Sequence, residues 1–166
     1  MKNAYFAGGC FWCITPVFEK ISGVSSVRCG YSGGDETDPK YEDVKHQRTG
    51  HRETVKVEYD ENSVSFSELL DIFLRNVDVY DGGGQYIDRG HSYTLAVYYG
   101  SEEEKQISEQ KICRIQKESG REIFVSVEPF KSFFDAEEYH QDYYRKNPEA
   151  FEQELIESGR KVIKLS

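Results

Sequence analysis

The sequence lacks a long apolar run and lacks an excess of positive charge. No stretch approaches the roughly 20 apolar residues that cross a bilayer, so we expect no membrane partner. The 21 Lys and Arg residues face 30 Asp and Glu residues, which gives a formal net charge of -9 at pH 7. Because nonspecific nucleic acid binding depends on clustered Lys and Arg, we expect no nucleic acid partner either.

Cysteine is scarce, and the pattern of a secreted protein is missing. The N-terminus carries no signal-peptide core, so we expect a cytoplasmic protein whose cysteines are mostly reduced. A disulfide formed there would serve catalysis rather than stability. A structural zinc site would need a second C-x-x-C or a closely spaced His pair, and the sequence has neither, so we expect no metal. The four cysteines are Cys10, Cys13, Cys29 and Cys113.

No Pro-rich or Ser-rich linker and no internal repeat divides the chain, which predicts a single catalytic domain over residues 1–166. The hydrophobic fraction of 37% is sufficient for a core and too high for a disordered protein. Strand and helix patterns alternate without strict repetition. We therefore expect an α+β fold with a mixed or antiparallel sheet covered by helices, a ferredoxin-like α/β sandwich.

The periodicity of apolar residues and the positions of Gly and Pro place the elements. Strands are predicted over residues 3–8, 24–30, 53–59, 93–99 and 123–127. Helices are predicted over residues 11–21, 66–77, 101–118, 135–145 and 148–157, and Ser65 with Glu68 forms the capping box of the second. Residues 31–50 are polar and without a clear period, which predicts a functional loop. Cys113 is predicted to be a core residue of the 101–118 helix.

Cys10 is the best candidate for a nucleophile. It follows Gly8 and Gly9 at a strand-to-helix turn, where unpaired amides and the helix dipole favour the thiolate. Cys13 lies one helical turn further on, within the Cα separation that a disulfide bridges. For a thiol that re-reduces an oxidised Cys10 we weigh Cys13, Cys29 and no internal thiol, and we favour Cys13.

A carboxyl group and several aromatic residues complete the candidate site. Glu53 shares a strand face with apolar residues, so burial would raise its pKa and let it hold a proton near neutral pH. Tyr31 and Tyr93 are candidate hydroxyl donors to a substrate oxygen. Phe11 and Trp12, next to Cys10, are candidates for the walls of a substrate pocket.

Six segments resemble one family in order and separation. They are Gly9-Cys10-Phe11-Trp12, Gly30-Tyr31-Ser32-Gly33-Gly34, Tyr41-Glu42-Asp43-Val44, Thr49-Gly50-His51-Arg52-Glu53, Asp88-Arg89-Gly90-His91-Ser92-Tyr93 and Glu138-Tyr139-His140-Gln141-Asp142-Tyr143. Together they resemble the peptide methionine sulfoxide reductase A family over most of the chain. The resemblance implies that Cys10 is the nucleophile and Glu53 the acid. It further implies that Tyr31 and Tyr93 donate hydroxyl hydrogen bonds and that Asp88 supports them.

The resemblance also implies a reaction. Methionine S-sulfoxide, free or in proteins, would be reduced to methionine while the nucleophile becomes a cysteine sulfenic acid. A thioredoxin-type or glutaredoxin-type protein would supply electrons, and no metal or organic cofactor would be needed. His140 matches the family too, and we interpret it as a structural helix residue that packs beneath the site.

The sequence departs from the family at several positions. Cys13 replaces a common Gly, Thr15 a common Glu and Ser92 the usual Gln, and the terminal Lys164-Leu165-Ser166 carries no cysteine-bearing tail. Two rival functions stay open at this point. One is a thiol-disulfide oxidoreductase that uses Cys10 and Cys13, and the other is a noncatalytic module that binds methionine-containing segments.

Overall fold

This computed structural model describes residues 1–158, which contain eight strands and six helices. The strands are β1 (Lys2–Gly8), β2 (Val24–Ser32), β3 (Arg52–Tyr59), β4 (Gly84–Gln85), β5 (Asp88–Arg89), β6 (Leu95–Tyr99), β7 (Val125–Pro129) and β8 (Phe133–Asp135). The helices are α1 (Phe11–Glu19), α2 (Tyr41–Lys45), α3 (Phe66–Arg75), α4 (Glu102–Ser119), α5 (Tyr143–Lys146) and α6 (Pro148–Ser158). Two 3₁₀ turns span His91–Tyr93 and Glu138–His140. Lys164-Leu165-Ser166 lies outside the described residues.

Six strands form one mixed sheet in the order β7-β6-β1-β3-β2-β8. All neighbours pair antiparallel except β6 and β7, which pair parallel. The chain order β1-α1-β2-β3-α3-β6 with the spatial order β6-β1-β3-β2 is the ferredoxin-like arrangement. The predicted fold, a single α+β domain with a mixed sheet flanked by helices, is confirmed.

Aromatic packing fixes α1 and α3 against the sheet. Phe6 of β1 stacks on Phe18 of α1 at a centroid separation of 5.3 Å and on Phe73 of α3 at 5.0 Å. All three side chains are fully buried, and each contributes about 1.5–3 kcal/mol relative to an exposed side chain. The start of α1, where Cys10 lies, is therefore held at a fixed position above the sheet.

Local signals predicted several elements correctly. The hydroxyl of Ser65 accepts a hydrogen bond from the Glu68 amide at 3.0 Å, so the predicted capping box begins α3. On β3 the predicted inward face is buried, from Glu53 through Val55 and Val57 to Tyr59. Of the helices within residues 1–158, none is both long and apolar enough to span a membrane.

Tertiary contacts overrode the local signals elsewhere. The predicted helix over 135–145 is wrong, because residues 133–135 pair with β2 as β8 and Asp142 takes a left-handed backbone conformation at φ 54°. The predicted strand over 93–99 starts too early, since Tyr93 ends a 3₁₀ turn. The predicted loop over 31–50 contains the end of β2 and the short helix α2.

The prediction for Cys113 is also wrong, because its side chain is exposed. Helix α4 has one buried residue, Ser108, and its half-buried Ile107, Ile112 and Ile115 pack against the core. Cys113 follows Ile112 directly and so points about 100° away from it around the helix.

Candidate active site

Two glycines place Cys10 at the start of α1. A Cβ on Gly8 would come within 2.9 Å of both Ile14 Cγ1 and Phe73 Cε1, so the close packing of β1 under α1 requires glycine there. Gly9 turns the chain with φ at 85°, a conformation that glycine adopts without strain. Cys10 then occupies the N-cap position, and its carbonyl accepts a hydrogen bond from the Cys13 amide at 3.1 Å.

The thiols of Cys10 and Cys13 are hydrogen-bonded to each other. This bond, and then burial, raise the pKa of Cys10 well above its ordinary value. The prediction that the helix start keeps Cys10 as a thiolate is therefore wrong for the resting site, because burial and the Cys13 thiol outweigh the exposed amides. The resting form is a thiol that must lose its proton as its sulfur attacks.

Glu53 lies beside this pair, at 1% exposure, on the buried face of β3. Its Oε1 accepts a hydrogen bond from the Phe11 amide at 3.2 Å, which ties the acid to the first turn of α1. Its Oε2 has no partner among the described residues. Burial raises the pKa of Glu53 to about 8, and the negative charge of Asp88 contributes to this rise. The hydrogen bonds from the Phe11 amide and the Tyr93 hydroxyl act in the opposite direction but are weaker than the effect of burial. The carboxyl group is protonated at neutral pH, as predicted, with one oxygen left for a substrate.

Aromatic rings surround the two catalytic candidates. Phe11 is fully buried, and Trp12 stacks on Tyr143 at a centroid separation of 3.9 Å. The Trp12 indole donates a hydrogen bond to His140 Nδ1 at 3.0 Å. His140 packs beneath the site as predicted, although it ends a 3₁₀ turn rather than lying within a helix, and burial lowers its pKa to about 4.

The two predicted tyrosines, Tyr31 and Tyr93, have different partners. Hydrogen bonding by the Tyr93 hydroxyl lowers the pKa of Glu53, so this phenol lies next to the carboxyl group. The Tyr31 hydroxyl instead donates to Glu137 Oε1 at 2.9 Å, because the segment after β8 packs against it. The Tyr31 hydroxyl is therefore engaged with Glu137 in the resting site.

Tyr41 is the tyrosine that the sequence analysis overlooked. Its ring packs against those of Phe11 and Trp12, each at a centroid separation of 6.4 Å. Burial is the main cause that raises the pKa of Tyr41, and ionisation of Glu53 or Cys10 would raise it further, so the phenol lies near both groups. The signal was present, since Tyr41 opens one of the family-like segments inside the loop that was predicted to be functional.

Helix α6 covers the site from the other end of the chain. Phe151 and Leu155 of α6 form a buried cluster with Tyr144, Cys10 and Cys13. The exposed fraction of Cys10 is 6%, and that of Cys13 is 2%. Helix α6 therefore restricts access to the Cys10 sulfur.

Asp88 and Cys29 are the remaining candidates from the sequence. Asp88 lies on the small β4-β5 hairpin and acts on Glu53 through its charge. The Cys29 sulfur lies 3.1 Å from Thr15 Oγ1, and burial raises its pKa to about 12. Within residues 1–158 no group of three or more His, Cys, Asp and Glu residues is arranged to hold a metal ion.

Comparisons with known proteins agree with this geometry. The family model described as peptide methionine sulfoxide reductase matches residues 2–165. The peptide methionine sulfoxide reductase MsrA of Ligilactobacillus salivarius is 44% identical over 151 residues, which cover 90% of this chain and 88% of that protein. MsrA of Streptococcus pyogenes serotype M5 is 42% identical over 156 residues, or 92% of each chain.

Solved structures share the fold. The reduced form of Mxr1 from Saccharomyces cerevisiae matches with a TM-score of 0.84 and 29% identity, over 89% of this chain and 86% of that one. Methionine sulfoxide reductase A of Corynebacterium diphtheriae matches with a TM-score of 0.81 and 28% identity, over 89% of this chain and 75% of that one.

The family match extends over nearly the whole chain, and the segments that carry it converge on one buried thiol and one protonated carboxyl group. A noncatalytic binding module has no use for that pair. The chain belongs to the peptide methionine sulfoxide reductase family, and it is an oxidoreductase that reduces methionine sulfoxide.

Proposed function

We propose that this reductase acts on the S epimer of methionine sulfoxide, free or in proteins, and passes through a sulfenic acid on Cys10. The observation that carries the proposal is the pairing of a thiol at the start of α1 with a protonated Glu53, whose Oε2 is free of protein partners among the described residues. The preference for the S epimer follows from the resemblance to the A family.

Attack by the Cys10 sulfur breaks the S–O bond of the sulfoxide and forms an S–O bond on Cys10. Methionine gains the two electrons that Cys10 loses. Glu53 gives its proton to the sulfoxide oxygen, which becomes more basic during attack, and the proton of the Cys10 thiol replaces it on Glu53. The sulfenic acid therefore carries the proton that Glu53 gave, and Glu53 is left protonated by the proton of the thiol.

Hydroxyl donors stabilise the same oxygen without adding a charge. Tyr93 is hydrogen-bonded to Glu53, and Tyr41 lies in the field of Glu53 and Cys10. We assign the two donor positions to Tyr93 and Tyr41. Phe11 and Trp12 form the apolar wall for the S-methyl group, and Asp88 supports Glu53 by raising its pKa.

Cys13 completes the cycle. Its thiol is already hydrogen-bonded to that of Cys10, so its sulfur displaces water from the sulfenic acid and forms a Cys10–Cys13 disulfide. Cys29 is less suited, because its thiol is engaged with Thr15. A donor dithiol of thioredoxin or glutaredoxin type then reduces the disulfide. The yeast protein Mxr1 has been crystallised in complex with Trx2, which makes a thioredoxin-type donor the first choice.

No disulfide joins any of the four cysteines, all of which lie within the described residues, in keeping with a reducing compartment. Together with the need for a thiol donor, this supports a place in the cytoplasm.

One experiment tests the cycle. Reduced Cys13→Ser protein, given methionine S-sulfoxide without reductant, should accumulate a dimedone-reactive sulfenic acid on Cys10, whereas the parent chain should form a Cys10–Cys13 disulfide. Cys29→Ser is the matched control and should behave like the parent chain. A parent chain that accumulates the sulfenic acid without any disulfide would show that Cys13 does not resolve it.

A further inference from the structure

The carboxylate of Glu137 bridges two elements that meet at the active site. Its Oε1 accepts the hydrogen bond from the Tyr31 hydroxyl at 2.9 Å, and its Oε2 accepts one from the Tyr41 amide at 3.2 Å. Tyr31 belongs to β2, and Tyr41 is the first residue of α2. One side chain therefore joins the sheet to the helix that carries a proposed oxygen-binding tyrosine.

The sheet side of this bridge is rigid. Tyr31 is fully buried and pairs directly with Glu53 in the register of β2 and β3. The backbone just before Glu137 is held on β2 as well, since the Ala136 amide donates to the Cys29 carbonyl at 2.9 Å. The Gln141 side chain binds both the amide and the carbonyl of Cys29 at 2.9 Å. Glu137 is thus fixed relative to the strand that neighbours the catalytic acid.

The helix side of the bridge depends on outside support. Helix α2 has only five residues, and a helix of that length is not stable without tertiary contacts. Its N-cap residue, Lys40, makes no side-chain capping hydrogen bond. Glu137, 96 residues away in the chain, accepts the bond from the first amide instead. The start of α2, and with it the position of the Tyr41 ring, depends on this carboxylate.

Glu137 is ionised in this role. Burial alone would raise its pKa, but its own backbone amide, the Tyr41 amide and the Tyr31 hydroxyl outweigh burial and hold the pKa below its ordinary value. A carboxylate accepts both bonds, whereas a neutral side chain of the same shape has only one good acceptor oxygen.

We propose that Glu137 is a positioning residue for sulfoxide reduction, which through its bonds to Tyr31 and Tyr41 holds the Tyr41 phenol against Phe11 and Trp12 beside Cys10 and Glu53. The inference rests on the proposed function in one respect, the role of Tyr41 as a donor to the sulfoxide oxygen. It gives Tyr31 the role of an anchor in place of the donor role that the sequence predicted.

A double-mutant cycle tests the proposal. The rate of methionine formation in a single turnover is measured for Tyr41→Phe, Glu137→Ala and the double variant. A misplacement of about 1 Å can cost on the order of 100-fold in rate, so we expect Glu137→Ala to slow the turnover by up to that factor. In the Tyr41→Phe background, Glu137→Ala should cause little further loss, because the group that it positions is gone.

Three further variants extend the double-mutant cycle and provide its control. Glu137→Gln keeps one acceptor oxygen and should lie between the parent chain and Glu137→Ala. Tyr31→Phe removes only the hydroxyl that holds Glu137 and should slow the turnover less than Glu137→Ala does. Glu138→Ala is the matched control, since this neighbouring carboxylate is exposed and faces Arg28 at 3.5 Å, and it should keep the parent rate.

The outcomes separate the two proposals. If Tyr41→Phe keeps the parent rate, the donor role of Tyr41 fails, and the positioning role of Glu137 fails with it. If Tyr41→Phe is slow and the losses multiply in the double variant, the donor role stands and the positioning role is overturned. Thermal melts identify any variant that fails to fold. If Glu137→Ala fails to fold, the same cycle is run with Glu137→Gln. Losses of rate that multiply in full when Glu137→Gln is combined with Tyr41→Phe again overturn the proposal.

Discussion

Glu53 shows how one buried position sets the chemistry. Its alternation with Val55 and Val57 on β3 was enough to predict both its burial and its raised pKa. The state of Cys10 could not be predicted in the same way, because it depends on the Cys13 thiol and on α6, far along the chain. A pattern within one element shows which way a residue faces, but not what a distant segment places against it.

The raised pKa of Glu53 predicts the pH dependence of the chemical step. If the reaction starts with both Glu53 and Cys10 protonated, the single-turnover rate should fall as the pH rises through about 8, where Glu53 loses its proton. Glu53→Gln should remove this decline and slow the step by roughly 10²–10⁴-fold. A parent rate that instead rises through this pH would show that Glu53 reacts as a base.

Asp88 is expected to influence the pH at which this decline in rate occurs. Its negative charge raises the pKa of Glu53, so Asp88→Asn should move the alkaline decline of the single-turnover rate to lower pH. The midpoint of the rate profile, compared between the two proteins in the same buffers, measures the shift. An unchanged midpoint would mean that the charge of Asp88 does not reach Glu53.

At the scale of elements, α3 and β3 were predictable because their own sequences specify them, by a capping box and by strict alternation. The region from β8 to α5 was not predictable from its own sequence. Phe133 and Phe134 pair with β2 across about 100 residues of chain, and Asp142 breaks the helix that the local pattern favours. Contacts of such separation leave no trace in local periodicity.

Helix α6 provides a test at this scale. Because Phe151 and Leu155 cover Cys10 and Cys13, truncation of either should loosen the cover and make Cys10 more accessible. In a Cys13→Ser background, iodoacetamide should alkylate Cys10 several-fold faster when Leu155→Ala is added. Ile156→Ala, at a position of the same helix that is 59% exposed, should leave the rate unchanged. Equal rates for all three proteins would mean that the sulfur is reached by another route.

At the scale of the whole molecule, the order of strands and helices was sufficient to predict the ferredoxin-like sheet. The site was predictable to the extent that it is built on that sheet, as Cys10 and Glu53 are. Tyr41 and Glu137 were missed because they come from a five-residue helix and from the segment after β8, which acquire their positions only by packing on β2 and on each other.

The central claim is that Cys10 takes the oxygen from methionine sulfoxide. The most direct test mixes fully reduced protein with excess methionine S-sulfoxide, without any reductant, and counts the methionine that forms. The parent chain should yield one methionine per chain and then stop, and Cys113→Ser, which alters an exposed thiol away from the site, should do the same. Cys10→Ser should yield none while it stays folded. Methionine formed by Cys10→Ser at the parent rate would contradict the account.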